Sequence, residues 1–193
     1  MWYLKLDSDK SADLRVQGLL VLKQLLWKTA PYLTPHEGSV LITLLNLRGK
    51  YPNQSHVTTG VEEICEEFLT LVDPISSIEA ILTIVLPNPT EANPNPPQPP
   101  TSSWCMGLKC LAVLIKHAEW EGLEKGLGRL GKLALRSLDA SDAEVRKSAV
   151  GMCVEMNARV GDEEVLFERV LRGVNGGQMN LLMYYFAKRG KGA

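Results

Sequence analysis

Aromatic residues are scarce in this chain, 6% of 193 residues, and neither sign of charge prevails. Lysine and arginine number 21 against 22 aspartates and glutamates, a formal net charge of −1. That balance excludes a globally basic nucleic-acid binder, so no nucleic-acid partner is expected. Four cysteines stand at 65, 105, 110 and 153 without a CxxC pair, and three histidines are scattered at 36, 56 and 117. Zinc, redox and iron–sulfur centres need closer spacing, so neither metal nor cofactor is expected. The thiols read as reduced and mostly buried. No apolar run approaches the ~18–20 residues of a membrane span. The opening MWYLKLDSDK is too short and too charged to read as a signal peptide, so a cytosolic or nuclear protein is expected. Strand-like alternation is missing, as are the Walker, dinucleotide and nucleophile-elbow motifs. An enzyme is not expected.

Helical periodicity is what remains, in a chain 45% hydrophobic and 22% charged, the composition of a globular protein. The stretch SDAEVRKSAVGMCVEM, residues 141–156, opens on capping signals. Ser141 stands as N-cap with Glu144 three residues on, and Asp142 is favourable against the helix dipole. Val145, Ala149, Met152, Cys153 and Met156 then share one face. SADLRVQGLLVLKQLLW, residues 11–27, repeats the arrangement with Leu14, Gly18, Val21, Leu22 and Leu25. Arg15 follows Leu14 as Arg146 follows Val145, and Arg146 is within reach of Asp142. Leu14, Arg15, Val145, Arg146 and Ala149 are therefore read as structural positions. Neither helix could bury its stripe alone, and recurrence of such a unit marks a helical solenoid.

Further helices are expected at about 36–47, 59–72, 74–86, 103–115, 123–138 and 162–171, with a last one beyond Gly176 and Gly177. Asp73 caps the fourth and Pro74 opens it. This makes nine helices, four pairs and a closing helix, in one all-α domain spanning 1–193. PNPTEANPNPPQPP at 87–100 interrupts them with seven of the chain's 11 prolines and no apolar anchor. Polyproline II or disorder suits it, as a solvated loop between helix pairs. Its PxxP match, Pro97 to Pro100, has no adjacent basic residue to make it an SH3 ligand.

Two clusters invite chemistry and have simpler readings. Gly122, Gly126, Gly128 and Gly131 recur at helical spacing without a preceding strand, which fits close helix approach better than a phosphate cradle. Glu62, Glu63, Glu66 and Glu67 fill the gaps between apolar residues and read as a solvated face. The intra-pair turns carry Trp27 with Lys28, then Lys116 with His117 and Trp120, then Arg159. An exposed tryptophan beside a lysine could anchor an acidic partner. Trp27 reads equally as a continuation of the stripe Leu22, Leu25 and Leu26.

SLDASDAEVRKSAVGMCVEMNARVGDEEVLFERVLRGVNGGQMNLLMYYFAKR, from Ser137 to Arg189, resembles the end of the C-terminal TOG domain of the CLASP family of microtubule-associated proteins. Its diagnostic parts are the acidic-capped helix with VRKSAV, the VGDE turn at Val160–Glu163, and the final helix QMNLLMYYFAKR. The motifs cover about the last quarter of the chain. The prolyl insertion at 87–100 suggests a divergent, fungal relative. The resemblance implies a HEAT-like, TOG-like α-solenoid from a microtubule-stabilising protein of plus ends, kinetochores and spindle. It implies an interaction domain that recruits kinetochore or plus-end proteins or forms a homodimer. The alternative function is direct tubulin binding through the intra-pair turns. Trp27 and Lys28 occupy the kind of turn that tubulin-binding TOG domains use. Glu119 and Glu121 flank Trp120, and Asp162, Glu163 and Glu164 follow Arg159, so any tubulin binding is expected to be weak. A HEAT-like adaptor in transport or kinase signalling is a third reading.

The final helix stands apart in its surface. Met179, Leu182 and Phe186 form a docking stripe, while Leu181, Met183, Tyr184 and Tyr185 spread further apolar area around it. Terminal repeats normally turn a polar face outward. Tyr184 and Tyr185 are therefore read as protein-binding residues, against the alternative that Trp2 and Tyr3 cover that face.

Overall fold

The computed structural model describes residues 12–29, 32–34, 36–51, 55–87 and 98–190. Trp2, Tyr3 and most of the prolyl segment lie outside the described residues. Helix follows helix: α1 Ala12–Thr29, α2 Glu37–Lys50, α3 Ser55–Phe68, α4 Pro74–Val85, α5 Thr101–His117, α6 Trp120–Leu138, α7 Ala143–Val160, the short α8 Glu163–Val165 and α9 Gly176–Gly190. A π-helical turn, Leu166–Val170, extends α8. Among the described residues there is no strand.

The helices form two stacked rows. The odd-numbered helices make one, α1 on α3, α5 on α7 and α7 on α9, with a lighter contact between α3 and α5. The even-numbered helices make the other, α2 on α4 and α4 on α6, closed by the π turn on α6. This is a HEAT-like, TOG-like array, but its rows join through α2 with α3, α4 with α5 and α6 with α7 rather than in the expected pairs starting at α1. The odd helices run parallel. Lys23 Nζ lies 2.6 Å from Glu67 Oε1, the Cys65 and Cys110 sulfurs are 3.4 Å apart, and Arg159 Nη2 donates to the Ala118 carbonyl at 2.6 Å.

Local signals explain several helix starts. Asp73 accepts from the Ser76 amide at 2.7 Å with Pro74 in the first turn, as expected. At α7 the cap is Asp142 rather than Ser141, accepting from Glu144 and Val145 amides at 2.8 and 3.1 Å. Gly161 ends α7 with φ 73°, a left-handed conformation that glycine adopts without a Cβ penalty. Val145, Ala149, Met152, Cys153 and Met156 are buried on one side of α7. Helix α5 sits against α2, α4 and α7 and is buried almost all round. Its Trp104 indole donates to Ser137 Oγ at 3.0 Å and its Ser103 hydroxyl to the Leu45 carbonyl at 2.7 Å, so both buried polar groups are satisfied.

Helix α1 corrects the repeat argument. Leu14 is 51% exposed, Val21 and Leu25 are also exposed, and Leu19 and Leu26 are the buried residues. The helix is apolar on most of its circumference, so a stripe cannot be phased from its own pattern. Its packing against α3 decides instead, where Leu19 Cδ1 would stand only 2.9 Å from a Cβ at Gly60. Leu14 is thus not an inward structural position. Arg15 is half-buried, its guanidinium 5.9 Å from the Tyr51 ring centroid.

The acidic cluster is corrected as well. Glu62 accepts from Arg48 Nε at 2.8 Å, tying α3 to α2, and Glu67 holds Lys23 and Trp27 of α1. Glu63 and Glu66 remain exposed. The glycines divide similarly. A Cβ at Gly131 would overlap the Val170 carbonyl oxygen and one at Gly122 would meet Ile75 at 2.8 Å. Gly128 has no atom within 4 Å of that position.

Candidate protein-interaction surfaces

Parallel odd helices bring their C-terminal ends to one edge, and with them the turns that follow α1, α5 and α7. At the α1 end Trp27 is 59% exposed, so the exposed reading holds for its side chain. Its indole nitrogen donates to Glu67 Oε2 at 3.1 Å. Lys23 donates to the other carboxylate oxygen, and these bonds, lysine first, hold the Glu67 carboxyl below its ordinary 4.5. Lys28 is exposed beside them. Lys116 and His117 are exposed at the end of α5, and Trp120 stands half-exposed between exposed Glu119 and Glu121. Arg159 differs from expectation. Its guanidinium caps the end of α5 through the Ala118 carbonyl, which engages it within the fold. The exposed acids Asp162, Glu163 and Glu164 follow. The edge therefore has one aromatic–basic corner and mixed charge beyond it.

Helix α9 presents a second surface. Leu182 and Phe186 are buried, and Phe186 packs on Phe167 with ring centroids 6.0 Å apart. Met179 is exposed, so the docking stripe is narrower than its spacing predicts. Leu181, Met183, Tyr184 and Tyr185 are exposed among the described residues, with the two tyrosine rings edge-on at 5.3 Å. Tyrosine and methionine are enriched at interfaces, where one end of the side chain is apolar and the other wet.

Between α7 and α9 runs an open groove of about 790 Å³. Leu138, Val150, Val154, Leu181 and Tyr185 give it apolar walls, and Arg146, Lys147, Glu155 and Gln178 rim it. Arg146 does not reach for Asp142. Its Nη1 donates to the Ala140 and Ser141 carbonyls, each at 2.7 Å. Glu155 is paired with Arg189 at 2.7 Å. Sequence reasoning passes over Val150, Gly151 and Val154. Gly151, a helix breaker inside a good helix pattern, is the one local signal of this groove.

Among the described residues no group of three or more metal-ligating side chains converges, and no helix is long and apolar enough to cross a membrane. Cys110 is held well above the usual thiol range, first by its hydrogen bond with Cys65 and then by burial. Burial pushes Cys153 to about 12. Such protonated thiols are poor nucleophiles and poor ligands.

The paired rows, with their turns aligned on one edge, define a HEAT-like array of the TOG type. No family model matches the chain. Comparison with individual proteins is more informative. The chain is 29% identical to Protein STU1 of Phaeosphaeria nodorum over 96% of its own length, and 29% identical to Protein stu-1 of Neurospora crassa over 94%. Identity to Protein STU1 of Gibberella zeae is 30% over 94% of the chain. The chain is a homologue of the fungal STU1 proteins, and so of the CLASP family. It spans 17%, 16% and 15% of the length of these three relatives.

Proposed function

We propose that this chain is a non-catalytic protein-interaction domain of a microtubule-stabilising protein of spindle and kinetochore, recruiting kinetochore or plus-end partners or a second copy of itself. Homology to STU1 proteins supports the setting. The observation that carries the interaction role is the apolar surface of α9, with Tyr184 62% exposed beside Tyr185 and the open α7–α9 groove. Leu182 and Phe186 dock α9 on the array, and α9 offers apolar area beyond the face they occupy. Replacing Tyr184 and Tyr185 with glutamate should reduce partner capture from cell extract, or shift a dimer to monomer in analytical ultracentrifugation, with helical circular dichroism unchanged. An unchanged bound set and unchanged oligomeric state would remove α9 from the proposal.

A second reading is favoured by the Trp27 corner. Direct tubulin binding would use Trp27 and Lys28, with Lys116 further along the edge. Interrupting acids predict weak, salt-sensitive affinity, because separated surface charges are screened beyond ~8 Å at physiological salt. Titration with soluble tubulin tests this. Submicromolar binding lost in a W27A/K28A variant would place this reading above the first.

A further inference from the structure

We propose that the α7–α9 groove takes one amphipathic α-helix of a partner protein, apolar face inward, with acidic residues beside Arg146 and Lys147. The proposal rests on the interaction-domain reading and names the partner's chemistry.

Four observations converge. The groove follows α7 from Ala143 to Glu155, about 18 Å or three helical turns. Both walls are helices whose backbone groups bond internally, so an extended peptide would find no row of free amides and carbonyls to pair with. A helix satisfies its own backbone and needs only side-chain contact. Gly151 lies exposed inside α7 with no atom within 4 Å of where a Cβ would stand. Glycine weakens a helix interior, and no internal packing requires it there; at the groove it leaves room for close approach of a second helix. The charge balance supplies the sign. Glu155 is neutralised by Arg189, whereas Arg146 is bonded to carbonyl oxygens, and Lys147 reaches exposed Glu144 only at 3.9 Å. The first turn of α9, at the same end of the groove, adds the partial positive charge of its amides. Asp139 is bonded to Gln178 and Glu144 pairs with Lys147, but only the basic pair Arg146 and Lys147 stands on the lining at that end, so a carboxylate-bearing helix suits it better than a basic one.

The test is a selection of displayed peptides from a randomised library, with the whole chain as bait. Binding is then remeasured by fluorescence anisotropy against Gly151→Phe, Lys147→Glu and Leu181→Arg, each checked for native circular dichroism. These positions are exposed, so the variants test the surface rather than the core. The expected result is a set of peptides that turn helical when bound, with apolar residues at i, i+3, i+4 and i+7 and flanking acids. Gly151→Phe and Leu181→Arg should weaken them at least tenfold, and Lys147→Glu severalfold, more at low salt. Groove binders that are extended or basic would overturn the assigned partner while leaving the interaction-domain reading standing. Binders indifferent to Gly151→Phe and Leu181→Arg, or none at all, would overturn the groove itself, and the Tyr184/Tyr185 variant then decides the broader reading separately. Self-association of the wild type that disappears in Gly151→Phe would assign the groove to a second copy and overturn the proposal.

Discussion

Two glycines three residues apart on α6 allow a steric contact to be weighed against helix propensity. Gly128 is exposed and nothing approaches its Cβ position. Gly128→Ala should therefore show propensity alone, a gain of about 0.5–1 kcal/mol from a less mobile unfolded chain. In a chain of this length that raises Tm by about 2–4 °C at the upper figure. Gly131 carries the same propensity term, but its Cβ would overlap the carbonyl oxygen of Val170 and crowd that residue's Cγ1 at 3.0 Å. The obstacle is backbone in the π turn, so rotamer change cannot relieve it. Overpacking costs about 1–3 kcal/mol and more where backbone must move. Taking the upper figure and subtracting the propensity gain leaves Gly131→Ala about 2 kcal/mol less stable than wild type, a fall of about 4–8 °C. Differential scanning calorimetry of the two variants gives the comparison directly. Melting of Gly131→Ala within a degree of Gly128→Ala would show that α6 and the π turn do not approach as described.

Other consequences can be read in solution. Native alkylation should modify Cys105, the one partly exposed thiol, and spare Cys65, Cys110 and Cys153 until the chain unfolds. Because burial holds Cys153 at about 12 in the fold, its contribution is complete below the unfolded thiol's pKa near 9. It is then lost at roughly 1.4 kcal/mol per pH unit between about 9 and 12, so Cys153→Ala should flatten the alkaline fall in stability over that window. Glu67 behaves oppositely: its depressed carboxyl stabilises above the ordinary 4.5 and loses that effect as pH falls through the lowered value. Glu67→Gln should remove this acid-side dependence and change Trp27 emission; an unaltered acid profile would count against the Lys23–Glu67–Trp27 contact. Arg159→Ala should cost about 1–2 kcal/mol by leaving the Ala118 carbonyl without its charged donor, measured by urea unfolding, and an unchanged midpoint would return Arg159 to the binding edge.

Much of the array is legible where the information is local. Asp73 and Pro74 announce α4, and Val61, Ile64, Cys65, Phe68 and Leu69 are buried as their spacing requires. In α7 the contrast between Val145, Ala149, Met152 and their charged neighbours phases the helix correctly. In α1 that contrast is absent, since Leu14, Leu20, Val21 and Leu25 leave hardly any polar side from which to phase it. Glu62 and Glu67 were unreadable for another reason: Arg48 and Lys23 lie 14 and 44 residues away, and only stacking brings them close. The functional surfaces divide in the same way. The apolar excess around Tyr184 and Tyr185 is countable along one helix. The groove depends on the separation of α7 and α9, which no local pattern encodes.

Helix α1 packs on α3, whereas α5 is held by α2, α4 and α7. In a quasi-one-dimensional stack, opening begins at the layer with fewest neighbours. The amides of α1 should accordingly exchange hydrogen well before those of α5, with the Lys23–Glu67 pair as one of the latches. Trp27 and Lys28 ride on α1. A partner that grips them must also keep the layer closed, and its apparent affinity falls by whatever fraction of time the helix stands open.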